Sequence, residues 1–238
     1  MKRFGSYGTI ALIVILGFSS LGIVISRLTD TVAAFSEARS GSQTTVVIDA
    51  GHGGEDGGAV SCTGVAESTL NLQIAIKLEC LMGLLGYRTQ MLRTDDTSLA
   101  DATAGSYSEK KISDLKKRVE IINGIPEALL VSIHQNHFDQ TQYRGAQVFY
   151  HNCPQSNALA QLTQENLRTA LDLTNARQCK PADGIYLMEH IQCPGILVEC
   201  GFLSNPDEER LLRDFGYQNK IAIAVAASVS GYLGEKVI

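Results

Sequence analysis

The chain has 238 residues, 45% of them hydrophobic and 19% charged, which suits one domain with a buried core and leaves little room for two. Its net charge is −5; the first forty residues carry a surplus of two positives, so the remainder stands at −7. That balance excludes a nucleic-acid-binding domain, which needs a basic face to meet phosphates.

Lys2 and Arg3 are followed by an apolar run from Thr9 to Leu28 that holds a single charge, Arg27. About twenty such residues span the roughly 30 Å hydrocarbon core of a bilayer. The run lacks the polar stripe of a helix packed on a soluble core. Two readings stand: an uncleaved membrane anchor at 1–28, or a signal peptide cut near Val32-Ala33-Ala34. The run exceeds the about 7–15 apolar residues of a signal core, which favours the anchor. Either way Lys2 and Arg3 stay inside, so the rest of the chain is expected outside the cytoplasmic membrane. Residues 29–43, polar and small, read as a linker to a domain over 44–238.

Thr45 to Asp49 is a β-branched run ending at a glycine cluster, Gly51 to Gly58, as a buried strand running into a loop does. Leu70, Ile74, Leu78, Leu81 and Leu85 recur at helical spacing, so a helix is expected to open near Glu67 and stop at Gly86. A strand over 87–92 follows, then a loop from Thr94 to Ser108 long enough to belong to a site. Ile112, Leu115, Val119 and Ile122 outline the next helix. Strands are expected over 128–133, broken by His134, then over 145–150 and 195–200, with helices over 155–171 and 217–233. Strands alternating with helices imply a single α/β domain, its sheet mostly parallel and covered by helices on both faces, preceded by an N-terminal hydrophobic helix. The six cysteines show no C-x-x-C spacing. Cys80 and Cys200 are expected to pack as small hydrophobes. Cys153, Cys179 and Cys193 are placed either to pair or to stay free.

Three residues fall at the carboxyl ends of expected strands, where open α/β sheets bind ligands: His52, His134 and Glu199. Glu67 can reach that edge from the start of the first helix. Two imidazoles and a carboxylate around an open position make a common catalytic zinc shell. Each residue alone has a plain reading, as a loop histidine or as a first-turn acid favoured by the helix dipole. Their shared placement is what points to chemistry. Asp49 is placed either to hold an imidazole or to cap the loop.

The sequence words around these residues are Val47-Ile48-Asp49-Ala50-Gly51-His52-Gly53-Gly54, Glu67 with Asn71, Ser132-Ile133-His134-Gln135-Asn136, and Leu197-Val198-Glu199-Cys200-Gly201-Phe202-Leu203-Ser204-Asn205. In this order they resemble the zinc N-acetylmuramoyl-L-alanine amidases from Val46 to the C-terminus. Gly105-Ser106-Tyr107-Ser108, Gly145-Ala146-Gln147 and Gly184-Ile185-Tyr186-Leu187-Met188 resemble the germination-specific branch of endospore formers. The resemblance implies that His52, Glu67 and His134 hold one zinc ion and that Glu199 is the catalytic carboxylate. Asp49, Asn71 and Asn136 are then candidates to support the ligands or the substrate.

It further implies a peptidoglycan substrate, a muramyl unit bearing its stem peptide, and coupling in spore cortex to a deacetylase that completes muramic lactam. His137 competes with His134 as a ligand, but His134 ends the strand. Cys200 follows Glu199 and should face the opposite side of the sheet, which leaves it out of catalysis. Two other functions share this pattern: a zinc carboxypeptidase acting on wall peptides, and a non-catalytic wall-binding module. Glu199 argues against the module, which has no use for a strand-end carboxylate beside a full metal shell.

Overall fold

The computed structural model describes residues 44–235; the hydrophobic segment at 1–28 and the linker at 29–43 lie outside the described residues. In chain order the elements are β1 (Thr45–Ala50), α1 (Glu67–Leu84), β2 (Arg88–Met91), α2 (Tyr107–Asn123), β3 (Ala128–Asn136), β4 (Gln147–Tyr150), α3 (Pro154–Leu171), β5 (Lys180–Pro181), α4 (Tyr186–His190), β6 (Gly195–Phe202), α5 (Pro206–Leu212) and α6 (Phe215–Glu235). Among the described residues no helix is long and apolar enough to cross a membrane.

The strands form one sheet in the order β2-β1-β3-β6-β4-β5. The first four run parallel, with Ile48 opposite Val131 and His134 opposite Glu199. The sheet is mixed rather than wholly parallel, because β4 runs antiparallel to β6. The reason lies in the connection: no helix separates β3 from β4, and a parallel return needs a longer crossover.

Alternation along the strands divides the sheet into two faces. Ile48, Ile133, Val198 and Cys200 point to one face, where α1, α3 and α6 cover them with Ile74, Leu159 and Val225. Val47, Leu130 and Leu197 point to the other, covered by Ile122 of α2 and by Leu187 and Met188 of α4. Each large apolar side chain buried this way contributes about 1.5–3 kcal/mol. Asp49, Ser132, His134 and Glu199 alternate onto the second face, so one face carries the larger core and the other carries the polar residues.

Local chemistry sets the helix starts. α1 has no side-chain cap at Ala66; instead Glu67 N donates to Ala59 O (2.8 Å) and Ser68 N to Gly57 O (3.0 Å), so the glycine loop itself caps the helix. α2 begins at Tyr107, inside the loop expected over 94–108, because Ser106 and Glu109 form a capping box. The short elements β5, α4 and α5 are absent from the sequence reading, being too brief to show a period. His134 continues β3 rather than breaking it, and the pairing shifts between His134 and Asn136.

All six cysteines are free thiols. Cys200 is buried as expected, but Cys80 is exposed. Leu70, Ile74, Leu78 and Met82 form the inward stripe of α1, and a residue two positions from Leu78 lies on the far side. Alkylation of the native protein should therefore modify Cys62 and Cys80 and spare Cys200 until unfolding. Peptide mass mapping checks this, and early labelling of Cys200 would contradict the packing of β6.

Candidate metal centre

Glu67 brings the site together. It is 4% exposed, and its carboxylate is answered on every side. Oε1 lies 3.0 Å from His134 Nδ1 and accepts from Gln135 N (3.1 Å) and Asn71 Nδ2 (3.2 Å). Oε2 lies 3.3 Å from His52 Nε2 and accepts from Ala59 N (3.0 Å). Burial opposes the charge, but the hydrogen bonds from His134 and His52 outweigh it and hold the carboxyl far below its usual range. The imidazoles meet edge to face, centroids 5.1 Å apart. One ligand atom from each of His52, Glu67 and His134 lies within 4.8 Å of the others, a group that could hold a metal ion. Two nitrogens and a carboxylate oxygen are the donor set that suits zinc.

Two glycines make room for the cluster. A Cβ on Gly51 would occupy the space of the His134 ring, and one on Gly58 (φ +69°) would come within 2.5 Å of Glu67 Oε2. Close approach, as well as turn geometry, requires glycine there.

Asn71 donates to Glu67 Oε1 (3.2 Å) and Gly51 O (3.1 Å) and accepts from Gln135 Nε2 (3.1 Å). Asp49 does not hold an imidazole. Its carboxylate bonds to Arg118 and accepts from Ser132 Oγ (2.6 Å). The partner of His52 is Asp56, whose Oδ2 is 2.9 Å from His52 Nδ1. A carboxylate behind a ligand imidazole fixes its tautomer and ring orientation. Asn136 ends β3 with its Oδ1 accepting from His137 N (2.8 Å) and does not line the cavity at the cluster; His137 is exposed.

Glu199 stands opposite His134 in the strand register, and its Oε2 is buried with no hydrogen-bond partner among the described residues. Burial, opposed by His134 and reinforced by Glu67, pushes its carboxyl up to about 7. A cation bound at the neighbouring group would favour the ionised form. Cys200 points to the opposite face, into the core, where burial pushes its thiol above the usual range.

Two buried arginines, absent from the sequence reading, hold the turn that carries His52. Arg93 donates to Ala50 O (2.8 Å), Gly51 O (3.0 Å) and Ser68 O (2.9 Å). Arg118 donates to Ala50 O (3.1 Å) and His52 O (2.7 Å) while pairing with Asp49 and Asp114. Three successive carbonyls are thus fixed by two guanidiniums. This restrains His52 at φ +61°, a conformation that costs a non-glycine residue free energy.

An α/β domain with this cluster at the carboxyl edge of its parallel strands, and a half-buried carboxylate beside it with one buried oxygen left unpaired among the described residues, has the architecture of a metal-assisted hydrolase. Residues 46–231 match the family of N-acetylmuramoyl-L-alanine amidases, and the chain belongs to that family of enzymes. The germination-specific N-acetylmuramoyl-L-alanine amidase of Bacillus subtilis is 38% identical over 192 residues, covering 80% of each chain. The CwlD amidase of Clostridioides difficile, solved in complex with the GerS lipoprotein, is similar with a TM-score of 0.78 at 41% identity, over 80% of this chain and 98% of that one. The catalytic domain of CwlV from Bacillus (Paenibacillus) polymyxa gives a TM-score of 0.70 at 30% identity, over 81% of this chain and 99% of that one.

The Asp49–Arg118 pair carries a stability prediction. Burial works against the Asp49 charge, but Arg118, His134 and the Ser132 hydroxyl outweigh it and depress the carboxyl below its ordinary 3.8. A depressed acid contributes stability that is complete above 3.8 and is lost as pH falls through the lower folded value. Asp49→Asn should cost about 3–5 kcal/mol at pH 7, since it leaves Arg118 short of a buried counter-charge. It should also lose stability less steeply than the wild type on acidification. Denaturant titrations across pH check both, and an acid limb as steep as the wild type's would contradict the assignment.

Proposed function

We propose that the protein is a zinc amidase that hydrolyses the amide between the lactyl group of N-acetylmuramic acid and L-alanine in peptidoglycan. The observation that carries this reading is the His52–Glu67–His134 group with Glu199, its buried Oε2 without a hydrogen-bond partner among the described residues, directly across the strand pair. His52, Glu67 and His134 would hold one zinc ion per chain. Zinc bound there would acidify water toward a pKa of about 7 and polarise the amide carbonyl.

The chain's own residues do the rest. Asp56 holds the His52 ring through Nδ1, and Asn71 with Gln135 N holds the Glu67 carboxylate. Glu199 takes a proton from the attacking water and passes it to the alanine nitrogen as the C–N bond breaks. The products are the lactyl carboxylate and a free stem peptide, and no covalent enzyme intermediate is needed. Cys200, in the opposite core, has no part in it.

The likeness to a germination-specific amidase supports spore cortex as the setting, with stem removal preceding the work of a muramic acid deacetylase. The apolar run at 9–28 supports a domain held outside the cytoplasmic membrane by its own anchor. The complex formed by the Clostridioides difficile relative supports a lipoprotein partner there.

Mass analysis of fragments released from purified cortex tests the reaction. Amidase action frees peptides beginning with alanine, whereas release of C-terminal residues alone would mark a carboxypeptidase. Two variants separate the carboxylates. Glu67→Ala should lose zinc, because two imidazoles make a poor shell. Glu199→Gln should keep zinc and fold yet lose about 10²–10⁴ in rate, the usual worth of a positioned general base. Metal analysis with single-turnover assays decides, and a metal-free Glu199→Gln beside a loaded Glu67→Ala would reverse the roles.

A further inference from the structure

Between the glycine cluster and α1 the chain makes a small hairpin over residues 59–67. Val60 and Ala66 pair antiparallel, and Ser61 closes the turn. Its N–H donates to Val65 O (2.9 Å), and its Oγ accepts from Thr63 N (3.3 Å) and Val65 N (3.0 Å). The open end lies at the metal group. There Glu67 N donates to Ala59 O (2.8 Å), and Ala59 N donates to Glu67 Oε2 (3.0 Å). Where the hairpin lies therefore decides where the Glu67 carboxylate lies.

Little apolar surface holds this hairpin. Val60, Cys62, Thr63 and Gly64 are exposed, while Ala59 and Val65 meet the main core only partly buried. A two-stranded ribbon of this size is marginal by itself in water. What meets its tip is a carboxylate from a distant element. Glu209 of α5 is 2% exposed, and its Oε1 accepts from Ser61 Oγ (3.3 Å), Thr63 Oγ1 (2.5 Å) and Arg213 Nη1 (3.3 Å). Hydrogen bonds to a carboxylate are roughly twice as strong as those between neutral groups.

The mount for that contact is firm. Asn205 Oδ1 caps α5, accepting from Asp207 N (3.0 Å) and Glu208 N (3.2 Å). Glu208 turns the other way and accepts from Gly145 N (2.8 Å) and from Phe202 N (2.8 Å) at the end of β6. Glu199 is on that same strand. Contacts thus run from the strand of Glu199 through α5 to the hairpin tip, and down the hairpin to Glu67. Glu209 itself does not line the metal cavity.

We propose that Glu209 is a positioning residue for the metal centre: it pins the tip of the 59–67 hairpin to α5 and so holds Glu67 between His52 and His134. This rests on the metal-centre reading above. The role requires an acceptor at that point more than a charge, because the Arg213 side chain is 49% exposed and water can solvate it.

Zinc competition against a chromogenic chelator, on the full chain, tests it. Glu209→Ala should weaken zinc binding about tenfold, the lower end of what support behind a metal ligand is worth. Glu209→Gln, which keeps an oxygen in the same place, should bind zinc as the wild type does. Thr63→Val cuts the contact from the exposed tip and should weaken zinc binding too. Added to Glu209→Ala it should change little more, since both remove one interaction. Asp207→Ala, an exposed acid of the same helix, should have no effect. Hydrogen exchange on the zinc-free chain gives a second reading. In Glu209→Ala the amides of Ala59 and Glu67 should exchange faster, while those of Val131 and Val198 stay protected.

Unchanged zinc affinity in Glu209→Ala, with only a lower melting temperature, would overturn the proposal, since Glu209 would then support α5 alone. Fully additive losses in the double variant would overturn it as well. Should Glu209→Ala fail to fold, Thr63→Val carries the same test. A wild-type chain that takes up no zinc would instead sink the metal reading, and exchange at Ala59 and Glu67 would still decide whether Glu209 places the carboxylate.

Discussion

A carboxylate buried at the start of a helix is costly unless donors answer it, and at Glu67 five groups do. Those donors come from four separate stretches: the glycine loop, α1 itself, the end of β3 and the turn after β1. Glu67 therefore ties together the parts of the chain that must meet for the site to exist. The same charge that makes the folded arrangement specific makes it ready for a cation, because both imidazole nitrogens already point at it. Satisfying Glu67 and shaping a metal site are one physical problem here.

The arrangement needs a rigid turn at Ala50, Gly51 and His52, and the fold supplies it from beneath with two buried guanidiniums. Arg93 approaches from the end of β2 and Arg118 from α2, and together they take up all three carbonyls. A buried guanidinium is itself expensive. Arg118 is tolerated because Asp49 and Asp114 flank it, and their charges raise its pKa against the opposing effect of burial. Asp49 thus acts through the backbone of His52 rather than through an imidazole. The pairing of Asp56 with the His52 ring then fixes the side chain as Arg118 fixes the main chain.

Much of this was legible in the sequence, for identifiable reasons. β1, β3 and β6 are nearly continuous apolar runs, as strands covered on both faces must be, so a lone polar residue at their ends stands out. His52, His134 and Glu199 were visible on that ground, Glu67 through its place at the start of the first helix, and Asn71 through the family resemblance alone. Less legible was anything whose role depends on a distant partner. Arg93 and Arg118 look like ordinary surface cations until the fold buries them. α2 misled because its apolar spacing suggested an inward face through Ile112, which is half exposed, whereas Arg118 on the adjoining stripe is 2% exposed. Asp56 lay in a glycine-rich loop with no period to place it; its position four residues after His52 was the one available clue. The antiparallel β4 escaped because alternating strands and helices announce crossovers, and the missing helix between β3 and β4 had to be weighed as a signal in its own right.

The central claim is that Glu67, and not Glu199, completes the metal group with the two histidines. Anomalous diffraction at the zinc edge, on crystals of the zinc-loaded protein, tests it most directly. The account predicts one anomalous peak per chain among His52, Glu67 and His134, with Glu199 standing off it. A peak held by His137, or by Glu199 with Glu67 left bonded to the imidazoles, would contradict it.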